Sequence, residues 1–270
     1  MTSATSPETQ FRRAYAEHRA SEGRAHDERA MLELPYLAHG SAALVRQWSV
    51  RARTFDAFVA QVLRPAMRRL RRPVDLLDLG AGNGWLSYRA AQLGCRAIAL
   101  DVRDDRVDGL GAGSCYRRSG TPFESVAASF GALPIADACV DLVVFNASLH
   151  YAIDLAAVLR ESRRVLRPGG TLAVLDSPFY RRRAAGDAMV AEKRAHAARE
   201  FGARADALLA LPFLEFLTRE ALAQASAPLM LRWRRHRVRY PLWYELRPLE
   251  AMLRRRRPPS RFDLWEGSVQ

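Results

Sequence analysis

The sequence predicts an α/β fold, a mostly parallel sheet with helices on both faces. Three observations carry that expectation. Short apolar runs alternate with stretches of helical period, which is the pattern of βαβ units. The first run ends in a glycine-rich turn that opens the next helix. Breakers such as Arg71-Arg72-Pro73 and Arg167-Pro168-Gly169-Gly170 separate the periods.

Taken in order, residues 1–30 are polar and charged and read as a poorly ordered tail. Over 31–72 the apolar residues Ala43, Leu44, Trp48, Phe55, Phe58, Val59, Val62 and Leu63 fall mostly three and four apart, which predicts an N-terminal helical cap. Residues 73–177 form the expected core. Its strands are Val74–Leu79, Arg96–Leu100, Ser125–Ala128, Val140–Phe145 and Thr171–Asp176, and its helices are Leu86–Leu93, a short one within 102–122, and Leu155–Leu166. Parallel strands joined this way take right-handed crossovers. After Ser177 the rhythm is lost. Residues 178–228 read as a helical insertion over the substrate side, with a helix at Ala184–Phe201 and another starting at Thr218, a good N-cap. Residues 229–270 supply two strands that complete a seven-stranded sheet, Leu229–Arg237 and an antiparallel Phe262–Trp265, with a short helix at Pro248–Leu253 between them.

Composition bounds the function. The chain of 270 residues is 49% hydrophobic and 26% charged, ordinary for a packed domain. No apolar stretch is long enough for a membrane span, and the N-terminus lacks the apolar region of a secretory signal. Cys95, Cys115 and Cys139 form no CxxC pair, so they read as reduced thiols of a cytoplasmic protein, with neither a disulfide framework nor a zinc site. The net charge of +13 attracts polyanions: nucleic acid, anionic lipid or acidic substrates. Lys193 is the one lysine, and so strong an arginine skew fits GC-rich coding as well as phosphate binding.

The segment Val74–Ser87 (VDLLDLGAGNGWLS) carries the chemistry. Asp78-Leu79-Gly80-Ala81-Gly82-Asn83-Gly84 lies between a strand and a helix, where glycines let the backbone turn sharply and let a ligand approach the main chain. A dinucleotide site needs GxGxxG, and the third glycine position counted from Gly80 is Trp85. A carboxylate ahead of the glycines repels a pyrophosphate and suits a ligand carrying ammonium and sulfonium charge. Asp101 ends the second strand 21 residues after Gly80, the position from which a carboxylate takes ribose hydroxyls.

DLGAGNGWLS, ALDV, GALPIADACVDLVVFNASLHYAID and VLRPGG together resemble the successive motifs of class I S-adenosylmethionine-dependent methyltransferases, over about Val74–Asp176. The group that looks nearest contains the ubiquinone/menaquinone-type small-molecule enzymes. The resemblance implies a Rossmann-like sheet and S-adenosyl-L-methionine as cofactor. It implies that Asp78, Gly80, Ala81, Gly82, Asn83 and Gly84 form the pocket for the amino-acid moiety and that Asp101, with Val102, holds the ribose. Asn146 would lie under the methionine moiety. Family members often carry Asp ahead of the Leu-Pro element to hold the adenine amino group; here Ser129 stands there, with the Phe130 main chain beside it.

A sulfonium is an activated alkyl donor, so the protein must mainly hold a nucleophile in line and exclude water. A base is needed only for an acceptor whose proton is tightly held. His150 and Tyr151, just past the fourth strand, are the candidates: His150 as a base or as a hydrogen-bonded wall residue, Tyr151 more readily as wall. Tyr36 and Arg51 in the N-terminal helices are candidates for the cofactor carboxylate, against core packing for Tyr36 and solvation for Arg51. No histidine has metal-ligand spacing. The Arg-rich end, RWRRHRVRYPLWYEL and RRRRPPSRFDLW, fits RNA stacking or strands whose alternate residues Leu231, Trp233, Val238 and Tyr240 pack inward, and the strand reading is preferred. The function expected is methyl transfer to a small organic acceptor at O, N or C. RNA methylation and a non-catalytic binding module are the rivals. No signature after the fourth strand names the acceptor, and nothing fixes the oligomeric state.

Overall fold

The computed structural model describes residues 26–201, 209 and 211–269. Most of the polar tail expected over residues 1–30 lies outside them; within them, helix α1 already starts at Glu28 (Glu28–Glu33). Ser41 caps α2 (Ala42–Phe58) by accepting the Leu44 N–H, and a π-helical turn at Val59–Leu63 joins it to α3 (Arg64–Leu70). The helical period read over 31–72 is thus interrupted between Leu34 and Ser41.

The core elements follow as β1 (Asp75–Leu79), α4 (Trp85–Gln92), β2 (Arg96–Asp101), α5 (Ser114–Arg118), β3 (Glu124–Ala127), β4 (Val140–Asn146), α6 (Leu155–Val165) and β5 (Leu166–Leu175). Then come β6 (Pro178–Phe179), α7 (Arg183–Phe201), α8 (Arg219–Ser226), β7 (Leu231–His236), α9 (Leu242–Glu245), α10 (Arg247–Leu253), β8 (Arg261–Phe262) and β9 (Leu264–Val269). Thr218 caps α8 by accepting the Ala221 N–H. The segment expected to be a helical insertion opens with a strand, since β6 pairs antiparallel with β8.

Seven strands form one sheet in the order β3-β2-β1-β4-β5-β9-β7. The first five are mutually parallel, and β9 runs antiparallel to both neighbours. The last strand therefore pairs over Leu264–Val269 rather than Phe262–Trp265: Leu264–Val269 spans the full length of β7, whereas Phe262 turns aside to β6. Arg167-Pro168-Gly169-Gly170 does not delay β5 until Thr171. Leu166 already pairs with Val140, the register then shifts, and Thr171 resumes opposite Leu142.

The pleat explains why the helices lie on both faces. In β4, buried throughout, Leu142 and Val144 join a cluster with Trp48, Phe55 and Leu86 from α2 and α4. Val143 and Phe145 point the other way, to Val158 and Leu159 of α6 and Leu222 of α8. The same alternation runs through Leu172–Leu175. Truncating a side chain such as Phe145, which has no exposed surface, costs about 3–5 kcal/mol. In the last fifth Leu231, Val238 and Tyr240 are buried, and Trp233 lies partly buried with its indole N–H on Ser226 Oγ, while Arg232 and Arg234 face solvent.

Candidate active site

The carboxyl ends of β1, β2 and β4 open onto a cleft of about 430 Å³. Crevices at this edge are where open α/β sheets take ligands. Eleven residues singled out from the sequence line it: Arg51, Gly80, Ala81, Gly82, Asn83, Asp101, Val102, Ser129, Phe130, Asn146 and Tyr151.

The loop after β1 is held from both sides. Gly80 and Ala81 donate N–H groups to Leu100 O, and Gly82 donates to Asp101 Oδ2 at 2.7 Å. Gly80, Gly82 and Gly84 have φ of 72°, 56° and 81°, a region open to glycine and strained for other residues. At Gly80 space also forbids a side chain, because a Cβ would lie 2.4 Å from Ser148 Cβ on the loop after β4. The third glycine packs inward: a Cβ on Gly84 would meet the Phe123 ring, and Gly84 is not on the cleft wall.

Asp101 Oδ1 accepts the Arg103 N–H at 2.8 Å. Burial pushes this carboxyl up, while the main-chain donors of Arg103 and Gly82 pull it back. Asp101 lines the cleft, and each of its oxygens keeps further acceptor capacity. Asn146 Oδ1 is buried there with no hydrogen-bond partner among the described residues.

Besides Gly84, Asp78 and Tyr36 stand elsewhere than expected. Asp78 does not reach the cleft. Its side chain is fully buried on the α4 side of β1, Oδ2 accepts the Ser87 hydroxyl at 3.0 Å, and Oδ1 has no partner among the described residues. Burial raises it to about 7, the Ser87 hydroxyl opposes this, and the Asp101 charge adds to the rise. Tyr36 sits outside the cleft, half exposed, with its hydroxyl on Asp56 at 2.8 Å and the Arg89 guanidinium over its ring. His150 shares the turn at Leu149–Tyr151 with Tyr151, its ring 4.2 Å from the Tyr151 ring, and lines a second chamber.

That chamber, about 440 Å³, shares Arg51, Ala147 and Tyr151 with the cleft. Its other walls include His150, Asp176, Tyr180, Lys193, Glu215, Arg247 and Arg257. His150 Nδ1 lies 3.4 Å from Ser177 Oγ. Lys193 meets Glu215 at 2.7 Å, and Arg257 meets Glu192 at 2.6 Å. Asp176 was not foreseen. It follows β5 with φ of 51°, is buried, and its Oδ1 has no hydrogen-bond partner among the described residues. Burial raises it to about 6, with Arg51 and Thr54 drawing it back. Ala147, at the matching place after β4, has φ of 54°. Left-handed non-glycine residues of this kind cluster at functional sites. Trp48, Trp85, Leu211 and Phe213 also line the cleft unforeseen. Trp85, taken from sequence only as a missing glycine, stacks edge-on with Trp48 at 5.8 Å. No group of three or more His, Cys, Asp and Glu among the described residues is placed to hold a metal ion.

Residues 77–174 match the methyltransferase domain family. The chain carries a class I S-adenosylmethionine-dependent methyltransferase domain. A malonyl-[acyl-carrier protein] O-methyltransferase from Dechloromonas aromatica is 34% identical over 145 residues, 50% of either chain. The chain spans half or less of the length of the first such curated relatives it matches. Among solved structures, geranyl diphosphate C-methyltransferase from Streptomyces coelicolor, in complex with magnesium, geranyl diphosphate and S-adenosyl-L-homocysteine, has a TM-score of 0.59 at 16% identity, covering 98% of this chain and 99% of that one. A [4+2]-cyclase shares the fold at TM-score 0.55 and 20% identity, covering 86% and 84%. The residues matched by the family run from within β1 to within β5.

Proposed function

We propose that the protein transfers a methyl group from S-adenosyl-L-methionine to a small organic acceptor held in the second chamber. The observation that carries this is the meeting of two chambers at Arg51, Ala147 and Tyr151, one of them walled by the glycine loop and Asp101.

The residues present fit that cofactor. Asp101 has lone pairs left for ribose hydroxyls, and the buried, unpartnered Asn146 Oδ1 suits an ammonium. Arg51 suits a carboxylate. Ser129 and Phe130 would flank the adenine, with Val102 beside the ribose. Asp78 acts through the loop, from beneath it. When bound, the cofactor supplies an electrophilic methyl group on a positively charged sulfur.

The chain's own residues do the rest. Trp48, Trp85 and Phe213 exclude water from the cleft, and the shared wall holds acceptor and donor in line; positioning of this kind is worth about 7–11 kcal/mol. An O–H or N–H acceptor loses a proton on methylation. Asp176 Oδ1, unpartnered in the acceptor chamber, is the group we assign to receive it, with His150 as the alternative on the same wall. A small acceptor is favoured over RNA because the aromatics of the Arg-rich end lie inward, and the one aromatic among the exposed large hydrophobic residues described is Tyr36. The malonyl and diphosphate groups named for the relatives are anionic, and Arg247 and Arg257 on the chamber wall would suit an anionic acceptor.

Calorimetry with S-adenosyl-L-homocysteine, followed by a labelled-methyl transfer screen of small acids, alcohols and amines, tests the proposal. Binding plus transfer to one of them is expected; absence of binding overturns it.

A further inference from the structure

Of the eight large hydrophobic side chains that stand exposed among the described residues, five lie within twelve residues: Leu242, Leu246, Leu249, Met252 and Leu253, each 47–80% exposed. Leu242, Leu246, Leu249 and Leu253 are spaced four, three and four apart, so they share one outward face of α9 and α10. The opposite side is committed inward. Tyr244 is buried, and Arg247 lines the second chamber. The stripe is continued by the exposed run Arg254-Arg255-Arg256, preceded by exposed Arg237 and Arg239. Arg254 is satisfied by Glu250 at 3.1 Å; neither Arg255 nor Arg256 meets a carboxylate among the described residues.

From this geometry we infer that α9 and α10 dock the protein on an anionic phospholipid surface, at the rim of the second chamber. An apolar stripe with arginines beside it is the composition of a helix that lies in the membrane interface, its aliphatic chains among the acyl tails and its guanidinium groups at the phosphates. No described helix is long and apolar enough to cross a membrane, so the contact is peripheral. Lipid is favoured over a protein partner for two reasons. The side chains protrude rather than line a groove. The leucines stand beside Arg255 and Arg256, which meet no carboxylate among the described residues, a charge complement to an anionic surface. The inference stands apart from methyl transfer, because it rests on the outer face of α9 and α10 alone.

The test is sedimentation of the full chain with phosphatidylglycerol–phosphatidylcholine vesicles and with phosphatidylcholine vesicles. Binding to the anionic vesicles is expected. Leu249→Glu with Leu253→Glu should weaken it at least tenfold. Arg255→Gln with Arg256→Gln should weaken it by about fivefold per arginine. Arg68→Gln with Arg69→Gln removes exposed charge of α3, ahead of β1 and so at the sheet edge opposite the chambers, and should leave binding unchanged. An unchanged circular dichroism spectrum and unchanged S-adenosyl-L-homocysteine affinity show that the variants fold. Failure of the wild type to sediment with anionic vesicles overturns the inference and returns the stripe to a protein partner. Equal weakening by the α3 pair overturns it too, by showing that bulk charge alone drives binding.

Discussion

Asp101 accepts the main-chain N–H of Gly82 across the mouth of the cleft, at 2.7 Å, so the end of β2 fixes the glycine loop after β1. One carboxylate thereby sets the loop's shape and offers its remaining lone pairs to a ligand. Asp101→Ala should lose both. Hydrogen bonds to a charged group are worth about 1.5–3 kcal/mol, so S-adenosyl-L-homocysteine affinity should fall about 10- to 100-fold. Calorimetry reads this, and an unchanged affinity would remove Asp101 from the site.

Asp78 yields a pH-dependent stability. Its folded pKa is raised, to about 7, so ionisation opposes folding. Below the ordinary aspartate range the group is neutral in both states and the penalty is absent. As pH rises toward 7 the unfolded chain ionises and the folded one resists. Asp78→Asn, which cannot ionise, should gain stability relative to wild type over that interval, by up to about 4 kcal/mol at pH 8. Urea melts at pH 4 and pH 8 measure the difference; a gap that does not change with pH would contradict the burial of a titrating carboxyl.

Asp176 and His150 share the acceptor chamber and are separable. With Asp176 raised to about 6, transfer to a protic acceptor should decline as pH falls through 6, where the carboxylate that takes the proton is lost. Asp176→Asn should lower kcat about 10²- to 10⁴-fold and abolish that limb, leaving cofactor affinity unchanged. His150→Ala should keep the limb. The reverse assignment, the limb surviving in Asp176→Asn and vanishing in His150→Ala, would make His150 the base.

Much of this was legible in the sequence, for identifiable reasons. Glycines mark the loop after β1 because three left-handed positions exclude most residues, and apolar runs mark β1, β2 and β4 because those strands are covered on both faces. Sequence spacing alone did not fix which way a side chain points. Asp78 shares a face with Leu76 and meets Ser87 of α4, beneath the loop it precedes. His150 and Tyr151 are adjacent in the chain, yet a single helical turn leaves Tyr151 on both chambers and His150 on one. Asp176 was hidden because its isolation is tertiary: it reads as the last residue of an ordinary strand, and its surroundings come from Arg51 and Thr54, more than a hundred residues earlier.

The edge of the sheet opposite the cleft makes the converse case, charges that stabilise without binding. Asp141 accepts from Arg72 at both oxygens, from Arg167 and from the Asp75 N–H, while Asp75 also meets Arg96 and Arg167. Burial alone would raise Asp141; the Arg72 donors, then the Asp75 N–H and Arg167, outweigh it and hold the carboxyl below its ordinary value. A depressed folded pKa stabilises the fold above the ordinary aspartate range and is lost as pH falls through the folded value. Asp141→Ala leaves the exposed Arg72 and the half-buried Arg167 with Asp75 as their one carboxylate partner among the described residues and removes the tie between β1, β4 and the start of β5. It should cost about 1.5–3 kcal/mol at neutral pH, and the deficit should shrink in acid, where the wild type loses the same charge. Because the network lies at the far end of the strands, S-adenosyl-L-homocysteine affinity in the folded variant should stay within about twofold of wild type. Urea melts across pH with calorimetry on the same samples measure both quantities, and a large loss of affinity without loss of stability would show that the two ends of the sheet are coupled.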